Sequence, residues 1–374
     1  MTALGTLQRL ALAACLATLL SGCRWYKPPE FALNMEGRDP STVSAEQKQA
    51  VTKALTKLFG TPDEPRVPAG VSLDKELLAA AAGPVGGDAE GNQRGLFRRH
   101  CTACHGISGD GAGPSSALLD PYPRDFRDGI FKYTSTVGGA KPRKRDLERT
   151  LLRGVAGTAM PSFAQLSQRE IDALLEYVKY LSIRGQTELA LMQAVVDGGE
   201  PLPLDDDLLS DEVEQAAAGW DAVEKDASLT VVPPPRPPID TPDQLAASIA
   251  RGRELYLSPD AQCVKCHGVD GDGKGEQTDI LDDWNKRKGT TPDQVDARAG
   301  WFTLPIQELR PRDFRQGVFR GGGRPEELYQ RIYVGIKGTP MPGAGPGPGS
   351  AGVLKPDDIW HVVDYVRSLS GKNR

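Results

Sequence analysis

The chain has 374 residues, a formal net charge of −5 and 39% hydrophobic residues. That length supports two domains with separate cores, not a miniature held together by disulfides. The acidic balance speaks against a nucleic-acid binder, which needs an excess of Lys and Arg to meet phosphate.

The first two dozen residues read as an export segment. Arg9 precedes LALAACLATLL, followed by Ser21-Gly22-Cys23. A membrane-spanning helix needs about 20 apolar residues, so this shorter run fits a signal-peptide core. The ending Leu20-Ser21-Gly22-Cys23 resembles a bacterial lipobox. That likeness implies removal of residues 1–23 as a signal peptide and lipidation of Cys23. The folded part would then sit on the periplasmic side, tethered to a membrane. A plain secretory signal, or a retained anchor, is the alternative.

Residues 24–88 form an N-terminal extension. In it Val51, Ala54, Leu55 and Leu58 recur at helical spacing, which predicts a helix packed on the next domain. Next comes CTACHGISGDGAG at 101–113, with two cysteines, a histidine and a run of glycines. Pro123-Arg124-Asp125-Phe126, Gly129-Ile130-Phe131 and GTAMP at 157–161 follow. Ile171, Leu174, Leu175, Val178 and Leu181 then mark one stripe of an amphipathic helix, and Ser167 with Glu170 reads as its capping box.

Residues 187–244 read as an acidic and Pro-rich linker. DDDLLSDEVEQAAAGWDAVEKDA allows a short acidic helix. VVPPPRPP must be extended, because proline lacks the amide donor and disfavours helix in the residue before it.

The same order of motifs then returns. CVKCHGVDGDGKG at 263–275, Pro311-Arg312-Asp313-Phe314, Gly317-Val318-Phe319 and GTPMP at 338–342 repeat the first set. Ile359, Val362, Val363, Val366 and Leu369 repeat the helical stripe. Two tandem domains of one fold, 89–186 and 245–374, explain the repeat. The second copy carries an insertion before its PRDF that contains Trp284 and Trp301. It is either a docking element or a plain loop. The Gly- and Pro-rich GAGPGPGSAG reads as a loop.

Three chemistries suit Cys-x-x-Cys-His. Four thiolates of Cys101, Cys104, Cys263 and Cys266 could close a zinc site, but that leaves both histidines without a part. A redox dithiol wants a strand-to-helix setting, whereas glycine-rich turns follow these pairs. Covalent haem attachment uses every residue of the motif: the two thiols take the vinyl groups and the adjacent imidazole sits under the iron.

On these motifs each repeat resembles a class I cytochrome c domain. The resemblance covers roughly 91–184 and 248–371. It implies a mainly α fold, with a helix leading into the motif, a glycine-rich loop, a distal Met and a crossing C-terminal helix. It implies two covalently bound haems c. Cys101 and Cys104, then Cys263 and Cys266, would hold the porphyrins, with His105 and His267 as proximal iron ligands. Met160 and Met341 would be the distal iron ligands, because each stands in GTxMP. The likeness points to the Pro114 carbonyl as acceptor for the proximal imidazole; Glu276 stands at the matching place in the second copy. His100, on the leading helix, and His361, beside the last buried stripe, are weaker ligand candidates.

Arg124 and Arg312 could grip a haem propionate, or lie on a solvated turn held by Phe126 and Phe314. Tyr177, Tyr180, Trp360 and Tyr365 are expected in the helix-packing core.

The implied function is single-electron transfer between extracytoplasmic respiratory redox partners. No catalytic residue, nucleic acid or small-molecule substrate is expected. A dihaem peroxidase and a fixed cytochrome subunit of a membrane respiratory complex are the alternatives.

Overall fold

A computed structural model describes residues 27–87, 91–277, 301, 303–305, 307–347 and 349–370. The export segment, with Cys15 and Cys23, and the part of the insertion that carries Trp284 lie outside the described residues.

Helices dominate. The extension supplies α1 (Ala45–Phe59) and α2 (Lys75–Ala81). A two-residue hairpin, β1 (Gly86–Gly87) with β2 (Gln93–Arg94), turns the chain into α3 (Leu96–His100) and α4 (Thr102–His105). The first half continues with α5 (Lys144–Arg153) and α6 (Gln168–Met192). After α7 (Asp206–Lys225), the second half has α8 (Pro242–Leu257), α9 (Cys263–His267), α10 (Pro325–Val334) and α11 (Pro356–Leu369).

The predicted helices form for the predicted reasons. Ser44 caps α1 reciprocally with Gln47, and Val51, Leu55 and Phe59 face inward. Ser167 and Glu170 make the expected capping box of α6, and Ile171, Leu174 and Leu181 are buried. Helices α5 and α10 escaped the sequence reading. Each opens with an acid three residues in that accepts the amide of its N-cap residue, Asp146 for Arg143 and Glu327 for Arg324. Each delivers the chain into a GTxMP loop.

The two halves build their cores differently. In the second, the long α8 crosses α11 at a glycine: a Cβ on Gly252 would fall 1.9 Å from the His361 carbonyl oxygen. Tyr256 and Tyr365 meet across that crossing at 5.2 Å between ring centroids. In the first, the leading helix is a single turn, and Phe97 packs on Tyr177 of α6 at 4.9 Å. The extension completes this core. Phe59 meets Tyr180 edge-on at 5.9 Å, and the Tyr180 hydroxyl donates to the Phe59 carbonyl at 2.5 Å.

The acidic stretch between the halves is more than a short linker helix. Helix α7 runs 20 residues and buries Leu209, Val213, Trp220 and Val223. Trp220 meets Phe131 edge-on at 5.7 Å, so this helix belongs to the first core. The spacing of its apolar residues had room for that face; the acidic residues between them masked it. The proline segment is extended, as expected, and acts as a strap. The Val231 amide donates to the Ser135 carbonyl and the Val137 amide to that of Leu229, while Gln330 of α10 donates to the Val231 carbonyl. Trp301, at the end of the insertion, accepts the Gly37 amide at 3.1 Å, which ties it to the extension.

Replacing Trp220 with Ala removes a buried aromatic side chain from the first core. The expected loss is about 3–5 kcal/mol of stability, read as an earlier denaturant midpoint. A solvated linker helix would leave the midpoint unmoved.

Candidate functional site: two repeated Cys-x-x-Cys-His centres

Cys101, Cys104 and His105 lie on one and a half turns of helix, and Cys263, Cys266 and His267 lie on another. All four cysteines are free thiols. Burial pushes Cys101 up to about 12, with Cys104 adding to the effect, and pushes Cys263 up to about 11. Thiols tuned for redox exchange are shifted the other way. The strand ahead of the first centre is only a two-residue hairpin strand, a helix leads into the second, and among the described residues no group of three or more His, Cys, Asp or Glu gathers as a metal site. The zinc and dithiol readings both fall on this geometry.

A glycine loop folds each centre in the same way. The His105 carbonyl accepts the Gly111 amide at 3.0 Å, and that of His267 accepts the Gly273 amide at 2.9 Å. Gly113 passes so close to the motif helix that a Cβ would sit 2.6 Å from the Ala103 carbonyl oxygen; for Gly275 the matching distance, to Lys265, is 2.2 Å. Only glycine permits that approach.

The PRDF segment closes over the imidazole. Nδ1 of His105 lies 2.9 Å from the Arg124 carbonyl, and the ring stacks on Phe126 at 4.5 Å with 17° between planes. Nδ1 of His267 lies 3.5 Å from the Arg312 carbonyl, and its ring stacks on Phe314 at 4.4 Å. The acceptor is therefore Arg124, not Pro114, which is exposed. The PRDF repeat was the available signal, and its backbone carries the message rather than its charged side chains. Burial pushes His105 down to about 4 and also lowers His267, because it disfavours the charged ring. A neutral ring that donates from Nδ1 leaves Nε2 as a free lone pair for a metal.

The GTxMP loops are equally alike. Thr158 accepts the Met160 amide on Oγ1 at 3.1 Å and donates to the Val155 carbonyl at 2.8 Å. Thr339 does the same for Met341 and Ile336, at 3.2 and 2.7 Å. Met160 is half-buried against the first core, and Met341 is half-buried in the second half.

The other candidates have structural partners. His100 is half-buried, edge-on to Phe163 at 5.9 Å. His361 lies between α8 and α11, with Nδ1 2.8 Å from Ser248 Oγ. Tyr177, Tyr180, Trp360 and Tyr365 are buried in the helix packing, as expected. Arg124 and Arg312 are half-buried, so neither sits on a solvated turn.

The centres differ in cover. The extension lies over the first glycine loop, where the Ala32 amide donates to Ser108 Oγ at 2.9 Å and Phe31 sits under the Arg184 guanidinium. His105 is 9% exposed, while His267 is half-buried.

Two helical repeats, each presenting paired thiols, a carbonyl-oriented neutral imidazole and an anchored thioether loop, define a haem-attachment protein. The cytochrome c family profile matches residues 90–182 and 249–370, more than half of the chain, and the protein belongs to that family. The family binds haem c covalently, and the free thiols and imidazoles found here fit that group. No curated protein matches. Among solved structures, the chain is similar to a chain of the Kuenenia stuttgartiensis reducing HAO-like protein complex. The TM-score is 0.51 and the identity 25%, over 76% of this chain and 98% of the other.

Substituting Gly113 with Ala drives a methyl into the Thr102 and Ala103 carbonyls. Covalent haem per chain should fall severalfold, measured by haem stain against total protein. Gly139→Ala, with nothing within 4 Å, should leave it unchanged.

Proposed function

We propose that the protein is an exported dihaem c-type cytochrome that passes single electrons between redox proteins. Cys101 and Cys104 would hold one porphyrin, with His105 and Met160 supplying its iron ligands. Cys263 and Cys266 would hold the other, with His267 and Met341. Cys23 carries the lipid that keeps the protein at a membrane surface on the periplasmic side. Among the described residues no helix is long and apolar enough to cross a membrane, and the lipid supplies that attachment.

One observation carries the reading: the same histidine, carbonyl, phenylalanine and threonine-anchored methionine geometry occurs twice. When bound, the haem iron supplies one-electron exchange, and His/Met ligation favours its ferrous form. The chain's own residues do the rest. The Arg124 and Arg312 carbonyls hold the imidazoles in orientation and tautomer. Thr158 and Thr339 fix the backbone beside each thioether. Phe126 and Phe314 keep water from the proximal face.

Two methionines in equivalent loops favour closed irons and conduction over peroxide chemistry, which needs an open axial position. The structural neighbour supports a second level of assignment. Almost the whole of a chain from a reducing HAO-like complex is covered, so this protein works docked to a larger redox enzyme rather than as a free shuttle. Mild detergent extraction should then bring down a second redox protein. Isolation of the dihaem chain alone at physiological salt would oppose docking and leave the electron-transfer role standing.

Ligation has its own test. Met160→Ala and Met341→Ala should each remove about half of the weak methionine-to-iron absorption and lower one of two midpoint potentials. The unsubstituted protein should turn over peroxide no faster than free haem. Peroxide turnover well above free haem would support the peroxidase instead.

A further inference from the structure

The two halves meet through their repeated motifs, and the motifs cross over. Gly157, in the first GTxMP loop, lies against the second half: a Cβ there would be 3.1 Å from Val318 Cγ1 and 3.6 Å from Arg312 Nη2. Gly338, in the second GTxMP loop, lies against the first half, with Ile130 Cγ2 and Arg124 Nη1 each 3.1 Å from its Cβ position. Ile130 and Val318 are equivalent residues, as are Arg124 and Arg312. The contact is thus a pseudo-twofold in which each half's PRDF arginine rests on the other half's methionine loop.

Further contacts fix this arrangement. Arg153 of α5 pairs with Glu327 of α10. Lys337 donates to Thr136 Oγ1 at 2.8 Å and to the Ala140 carbonyl. Gln307 accepts the Tyr122 amide and donates to the Leu119 carbonyl. Arg331 lies over the Tyr133 ring, and Arg320 Nη2 reaches the Gly157 carbonyl at 3.5 Å. Cations outnumber carboxylates at this contact. The buried Nε atoms of Arg312 and Arg320 have no protein hydrogen-bond partner. Such a site suits carboxylates brought by another group, and a porphyrin carries two propionates.

We propose that Arg124 and Arg312 are crossed positioning residues that couple the two haems. Each holds the proximal histidine of its own half through its backbone carbonyl and sets the charge around the other half's haem through its guanidinium. This rests on the dihaem reading above and deepens it. A cation near an iron favours the less positive, reduced state. Each haem is therefore kept reducible by an arginine from the opposite repeat. Because the carbonyl belongs to the backbone, a side-chain substitution separates the two roles.

The test is a spectroscopic redox titration of the full holoprotein. Met160→His and Met341→His, which lower the potential of one haem each, assign the two transitions. Arg124→Gln should lower the transition of the Met341 haem by about 59 mV, tenfold in its one-electron equilibrium, and move the other less. Arg312→Gln should lower that of the Met160 haem instead. Arg124→Lys should restore most of the shift, which a purely steric role would not. If each Gln variant acts mainly on the haem of its own half, or on neither, the crossing is wrong. If Arg124→Gln does not fold, Arg124→Lys against Arg312→Gln still decides it by which haem moves in the latter. Fewer than two haems in the unsubstituted chain would strike the dihaem reading and the crossing with it, whereas two haems that fail to respond in the crossed pattern would strike the crossing alone.

Discussion

The hydrogen bond from an imidazole to the carbonyl of a PRDF arginine organises each repeat. It orients the ring, selects the tautomer and leaves Nε2 free. It also sets where the PRDF segment must run, since the Phe126 amide donates to the Gly109 carbonyl and the Phe314 amide to that of Gly271. The glycine loop therefore cannot carry bulk, and the phenylalanine that follows has to lie flat on the ring. A five-residue attachment motif takes a fixed shape because the PRDF segment, 19 residues on from the histidine in the first repeat and 45 in the second, is pinned to it.

Duplication has kept that centre and changed its surroundings. The second half keeps a full-length leading helix crossing at Gly252. The first has only one turn there, and its core draws on α1, α2 and α7, which have no counterpart among the described residues of the second. The consequence is unequal cover: the first imidazole is held at 2.9 Å beneath the extension, and the second at 3.5 Å with less above it. On the proposed dihaem reading, equal ligand sets under unequal cover would give two potentials rather than one.

Much of this was legible before the fold was known. Paired thiols, a histidine, GTxMP and a matching apolar stripe mark the repeat at single-residue resolution, because each is a local signal. The role of Arg124 and Arg312 was not legible, because it depends on a backbone carbonyl that no side-chain pattern reports. Their guanidinium groups could be read toward a propionate, but not placed beside Gly338 and Gly157 of the opposite repeat, because that contact is tertiary. Helices α5 and α10 were missed although Asp146 and Glu327 stand where an N-terminal acid should. Their N-cap residues are arginines, which do not advertise a cap. The inward face of α7 was hidden by acidic neighbours, and its place on the first core is a tertiary fact.

The central claim is that both irons are clamped between imidazole and thioether. Proton NMR of the fully reduced holoprotein reads this directly, since a methionine methyl held over a porphyrin face is shifted far upfield by the ring current. The account predicts two such methyl resonances, from Met160 and Met341, alongside two covalent haems per chain. A single resonance, or none, in protein that carries both haems would contradict it.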